Sequence, residues 1–339
     1  MYASMRENEA LSAAREFMGQ AAGSSGSGAD TRILVEQLCA EAGLWEPAAA
    51  RRALDQSRGD PAHAVAMLRV WAATQPHISA PPVAPEHVVI VRRLSSAYPR
   101  VPGGQWLGLA PELLSRQLEW GDPAPEPASR WCSDPPQRAI DRDAPTRAHT
   151  PRVRDLIDAP TCPHTDDGDG DDPAHTVLTP PHSRANRLAL LARGETGALV
   201  ALAALILGHR QEAVLIELTV AEVGVRIPHP RTGTPCIVAE VPITEVEVVL
   251  DAEIGGRPGL ATGWGATLGT VERRAIALAL LDAAMTADRE LREPLTLDEQ
   301  TVLAAVDGPA TNGFVEHLRL PHYAGFAAYL NRAVPEEIS

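Results

Sequence analysis

The chain has 339 residues, 45% of them hydrophobic and 4% aromatic, long enough for two domains, or for one with large insertions, around its own core. Its 44 acidic and 30 basic residues give a formal net charge of −14, which disfavours non-specific attraction to nucleic acid or to an anionic membrane. Lysine is absent, so every cationic contact must come from arginine, histidine, helix dipoles or a metal ion. Four scattered cysteines (Cys39, Cys132, Cys162, Cys236) show no metal-binding spacing, and nothing at the N-terminus resembles a signal peptide. They read as reduced thiols of a cytoplasmic protein.

In chain order, Glu7 to Gln20 has helical composition and runs into the connector AAGSSGSGAD, whose small residues predict flexibility. Three further helices follow in ILVEQLCAEAGLW, EPAAARRALDQSRG and DPAHAVAMLRVWAAT. Apolar residues recur at helical spacing in the first, and the other two carry proline at or near the first turn with Gly59 between them. The first hundred residues are therefore expected to be predominantly α-helical. From Gly121 to about Pro181 the composition turns to Pro, Asp, Ser and Thr and includes the acidic run DDGDGDD (Asp166 to Asp172). Such a stretch buries too little to offset its ordering entropy and predicts an irregular linker or partner-binding arm.

Beyond the linker the pattern is α+β. Helices are predicted over Ala185 to Arg193 and Ala198 to Leu207; the apolar run Thr196 to Gly208 is too short to span a bilayer and reads as a buried helix. VLIELTVAEVGVRI and CIVAEVPITEVEVVLDAEI, separated by PHPRTGTP, predict an antiparallel pair. GLATGWGATLGT then leads into the helix VERRAIALALLDAAM, which Thr270 can cap. The division expected is a helical domain over 1–120, a linker over 121–181 and an α+β domain over 182–339.

Several stretches carry chemistry and also admit plain readings. VPGGQWLG (Val101 to Gly108) can bring backbone N–H groups close to an anion at Gly103, Gly104 and Gln105, or simply turn. It has neither GxGxxG spacing nor a Walker lysine, so it is no dinucleotide fingerprint or P-loop. Arg184, Arg187 and Arg193 lie near the start and end of one helix, and Arg273 and Arg274 near the start of another. There the guanidinium fork can hold phosphate together with helix N–H groups, or face water. GWGATLG can form a second anion-approaching loop with the Glu272 carboxylate just behind it, although a first-turn glutamate also suits the helix dipole. Near the C-terminus, FVEHLRLPHYAGF places His317 and His322 on either side of Pro321. The proline ends one helix and starts another, so both imidazoles can face one point, or merely cap helix ends. Two histidines do not complete a zinc site; the remainder can come from Glu316, His209, His229 or another chain.

Taken together, the opening MY, RRLSSAYPRVPGGQWLG (Arg92 to Gly108), TPPHSRANRLALLARGETG (Thr179 to Gly197), GWGATLGTVERRAIALALLD (Gly263 to Asp282) and GFVEHLRLPHYAGFAAYL (Gly313 to Leu330) resemble, in order and spacing, the I subunit (PhnI) of the bacterial carbon-phosphorus lyase system. The resemblance spans almost the whole chain. It is poorest between Gly121 and Asp172 and in the GSSGSG connector, and the shortened stretch before SRANR lacks a cysteine that some family members carry.

The resemblance implies a subunit of alpha-D-ribose 1-methylphosphonate 5-triphosphate synthase. That enzyme displaces adenine from MgATP with an alkylphosphonate; the I subunit alone releases the base by hydrolysis. It implies a core assembled with subunits G, H and J, further work with L and K, and zinc bound by His317 and His322 at the interface with J, the radical S-adenosylmethionine subunit. Such chemistry needs negative charge near C1′ and cations on the triphosphate. Glu272 is the candidate carboxylate, Arg184, Arg187, Arg273 and Arg274 the candidate triphosphate ligands, and the turn at Gly103 to Gln105 the candidate phosphate or ribose contact. A different class of function remains open: a scaffold whose arginines and zinc histidines serve assembly. A free-standing zinc hydrolase lacks ligands.

Overall fold

The structure, a computed structural model, describes residues 31–76, 81–96, 146–149, 151–152, 155, 157–162, 182–209, 214–286 and 299–307. The expected N-terminal helix over 7–20, the GGQ turn, the acidic run and both C-terminal histidines lie outside these residues.

The first three described helices follow the sequence punctuation. Helix α1 (Arg32–Ala42) ends at Gly43, whose φ of 74° lets its N–H donate back to Ala40 O, as a glycine C-cap does. Helices α2 (Pro47–Gln56) and α3 (Pro61–Ala73) both begin with proline, and Asp60 Oδ1 caps α3 by accepting from the N–H groups of Ala62 and His63. Leu38, Leu54, Val65 and Leu68 form their shared core, each such burial being worth about 1.5–3 kcal/mol. The expected helical character thus holds over 32–73.

The chain then turns through a 3₁₀ segment into strand β1 (Val88–Ser95), which the sequence reading did not pick out. It joins β2 (Val214–Pro228), β3 (Pro235–Ile254) and β4 (Arg257–Leu268) in one antiparallel sheet of order β1-β2-β3-β4. The fold is α+β, and the β2–β3 hairpin is the antiparallel pair that the turn chemistry of PHPRTGTP predicts. Alternation in β3 sets its faces: Val246, Val248 and Leu250 are fully buried in the main core, while Glu245 and Glu247 project from the opposite face.

Helices α4 (Arg184–Leu191), α5 (Thr196–His209), α6 (Glu272–Thr286) and α7 (Glu299–Val306) complete the described structure. Helix α6 lies across β4 and β3, with α5 behind it. The glycines of GWGATLG explain this approach. A Cβ on Gly263 would stand 2.1 Å from Ala279 O, and one on Gly265 2.5 Å from Leu278 Cβ. The stretch is therefore β4 itself, packed backbone-to-helix, and not the anion-approaching loop expected. Thr270 N–H and hydroxyl both donate to Glu36 Oε2 at 2.7 Å, tying the start of α6 to α1.

The described parts of the linker are irregular, as its composition predicts, yet they are docked on the sheet. Thr146 bridges to Val89 of β1 at one side and Thr161 to Leu260 of β4 at the other, and Cys162 is buried.

Candidate functional site

One bidentate ion pair and a set of carbonyl and hydroxyl contacts fix α4 along α6. Arg184 Nε and Nη2 donate to the two carboxylate oxygens of Asp282 at 3.1 and 2.6 Å, a bidentate geometry that a lysine could not reproduce. Ser183 Oγ caps α4 by accepting from Asn186 N. At the other end of the pair, Arg274 donates to Ala192 O (2.6 Å), Gly194 O (2.6 Å), Thr196 Oγ1 (2.8 Å) and Thr267 Oγ1 (3.1 Å). Contacts 184–282 and 192–274 step in opposite directions, so the two helices run antiparallel.

Arg274 is fully buried. Desolvation brings its guanidinium down to about 10, opposed by the Glu41 carboxylate 3.9 Å away and reinforced by Arg69, and it remains charged at neutral pH. Its neighbour Arg273 is only half-buried. Glu272, at the first position of α6 with a side chain 12% exposed, forms an ion pair with Arg92 of β1. Arg187 Nη1 donates to His182 O at 3.4 Å.

Glu272, Arg273 and Arg274 thus gather at the start of α6. Arg184 instead meets the helix at Asp282, ten residues further on, roughly 15 Å along its axis. Between the helices and β4 lies a recess of about 430 Å³ lined mainly by Ala185, Leu188, Ala189, Trp264, Gly265 and Leu278. Trp264 spans two networks: its backbone N–H donates to Asp282 Oδ2 (2.9 Å) and its indole Nε1 to Glu245 Oε1 (2.7 Å).

The second network covers the far face of the sheet. Buried Glu217, Glu245 and Glu247 are met by Arg93 of β1 and by Arg147 and Arg152 of the docked linker. Arg93 is held more firmly protonated by its hydrogen bond to Glu217.

Sequence reasoning passed over Arg92, Asp282 and Trp264. For Asp282 a signal was present: a lone carboxylate inside the apolar run ALALLDAAM needs a buried partner. Of the alternative zinc ligands, His229 accepts at Nδ1 from Arg231 N and Thr232 N in the hairpin turn. Among the described residues no group of three or more His, Cys, Asp or Glu is placed to hold a metal ion. No described helix is long and apolar enough to cross a membrane.

An apolar recess between α4, α6 and β4 on an α+β scaffold, with arginines held at either end of α6, is the class of site the structure defines. The family model for the bacterial phosphonate metabolism protein (PhnI) matches residues 13–335. The chain is similar to the alpha-D-ribose 1-methylphosphonate 5-triphosphate synthase subunit PhnI of Rhizobium meliloti, being 31% identical over 319 residues, which cover 88% of this chain and 82% of the relative. It is also similar to the subunit of the same name from Escherichia coli, 32% identical over 311 residues, covering 88% and 84%. This chain belongs to the PhnI family of bacterial phosphonate metabolism proteins.

Proposed function

We propose that this chain is the carbon-phosphorus lyase subunit that carries the ribosyl-transfer step of phosphonate catabolism. In that step the bond from C1′ of MgATP to adenine breaks, the base leaves with the electron pair and takes up a proton, and an alkylphosphonate oxygen bonds C1′. The product is alpha-D-ribose 1-alkylphosphonate 5-triphosphate. In the isolated chain water takes the place of phosphonate, giving a nucleosidase. The observation that carries this reading is the family match across 13–335 together with relatives named as synthase subunits.

Glu272 supplies negative charge toward the oxocarbenium-like centre, and its pairing with Arg92 orients it. Arg187 and Arg273 contact the triphosphate, with Gly103, Gly104 and Gln105 on phosphate or ribose, while Arg184, bidentate on Asp282, holds α4 against α6. Arg274, turned inward, contributes by fixing the link between α4 and α5. The recess beside α4, about 430 Å³, falls within the about 300–1,000 Å³ typical of ligand pockets, and its apolar lining suits the faces of a heteroaromatic base. Mg²⁺ arrives with ATP. The described residues offer no metal cluster, so zinc rests on His317 and His322, completed by subunit J, and no step of the transfer is assigned to it. The assembly is cytoplasmic, with G, H and J as the core and L and K as further partners.

A scaffold without chemistry of its own is the second reading. It is favoured by one observation: Arg184 and Arg274 both direct their guanidinium groups into the protein. Incubation of the purified chain with MgATP, with and without G, H, L and methylphosphonate, decides between the two when adenine is followed by chromatography. Release by the wild type, abolished by Glu272→Gln and retained by His317→Ala, is expected. No base release under any combination leaves only the scaffold.

A further inference from the structure

The β2–β3 hairpin is longer than the sheet that holds it. Pairing with β1 ends at Val88↔Val223 and pairing with β4 begins at Ile243↔Leu268, whereas β2 and β3 continue to pair out to Pro228↔Pro235. Residues 224–228 and 235–240 therefore project as a two-stranded ribbon, with Val238 as the extra residue of a bulge between Val225 and Arg226 on the facing strand. Two-stranded ribbons are marginal on their own, and protruding edges are ordinarily blunted by proline or charge. Here prolines 228, 230 and 235 guard the tip alone. The outer edge of β3 behind it reads Cys-Ile-Val-Ala, and Ile237 and Val238 are 40% and 49% exposed. In a chain of net charge −14, the ribbon and its turn from Gly224 to Glu240 hold Arg226 and Arg231 against a single carboxylate, Glu240.

We infer that the β3 edge over 236–240 docks a β-strand from another subunit that presents an acidic surface. Main-chain pairing supplies affinity, Ile237 and Val238 supply apolar burial, and the two arginines select the charge of the partner. The choice of partner rests on the multisubunit reading above.

Cys236, exposed on this edge, reports occupancy directly, because Cys39 and Cys162 are buried. In the full chain carrying Cys132→Ser, maleimide alkylation of Cys236 is followed alone and after complex formation with copurified G, H and J subunits. Slowing by at least tenfold is expected. Paired Ile237→Ser and Val238→Ser substitutions are expected to weaken association at least tenfold while leaving the unfolding midpoint of the isolated chain unchanged, and Arg231→Glu to weaken it several-fold at low salt. Equal alkylation rates in a complex that has formed overturn the inference and leave the multisubunit reading standing. Failure of the unsubstituted chain to join any of the three subunits overturns that reading, and the docking assignment with it.

Discussion

Two arginine-rich regions solve different electrostatic problems. At the seam between helices α1–α3 and the rest of the fold, guanidinium groups meet backbone carbonyls. Arg69 donates to Glu41 O and Arg193 O, Arg193 to Ala42 O, and Arg274 to Ala192 O and Gly194 O. These carbonyls lie at or just beyond helix C-termini, which lack intrahelical donors and carry partial negative charge. On the far face of the sheet, Arg93, Arg147 and Arg152 meet the side chains of Glu217, Glu245 and Glu247. The seam uses arginine as a multi-pronged donor with carboxylates in secondary roles, whereas the face uses it as a counter-charge. In a lysine-free chain, a count of arginines therefore says little about ligand binding until each one is traced to its acceptors.

The largest effect that sharpens this contrast is expected at Arg274. Replacing it with methionine keeps volume but strands two carbonyls and two hydroxyls in the core, and should cost about 3–5 kcal/mol of stability by denaturant titration. Arg274→Lys should recover only part, since an ammonium cannot span four acceptors. A loss below about 1 kcal/mol for Arg274→Met would break the seam account. On the sheet face, Arg147→Met should cost less, about 1–3 kcal/mol, because Arg152 remains 3.3 Å from Glu245. The readout there is local: limited proteolysis should cut near 146–162 sooner than in the wild type.

The smallest expected effect concerns pH. Burial pushes the Cys39 thiol of α1 up to about 11. A folded value above the unfolded one favours the protonated native form, so this contribution is fully present below about pH 8.5–9 and is lost as pH rises through about 11. Chemical denaturation between those values should show a falling limb that Cys39→Ala flattens.

Where the sequence carried local punctuation, the fold was legible. Prolines at Pro47 and Pro61, Gly59 between those two helices and the turn around His229 marked helices and hairpin, whereas the helix end at Gly43 was not marked. Strand β4 escaped because Gly259, Gly263 and Gly265 have low strand propensity; their role is steric and visible only with α6 in place. Strand β1 escaped because its polar VRRLS half pairs on one edge alone. Arg273 and Arg274 could not be told apart by composition, since successive helical residues differ by about 100° of rotation, enough to put one in the core. The buried Arg184–Asp282 pair required both partners to be placed before either could be read.

The proposed nucleotide binding places Arg273 on the triphosphate, and calorimetric titration of MgATP into the wild type and Arg273→Ala tests it most directly. The account predicts tight binding by the wild type and at least tenfold weaker binding by a variant of unchanged unfolding midpoint. Equal affinities in the two proteins would contradict it.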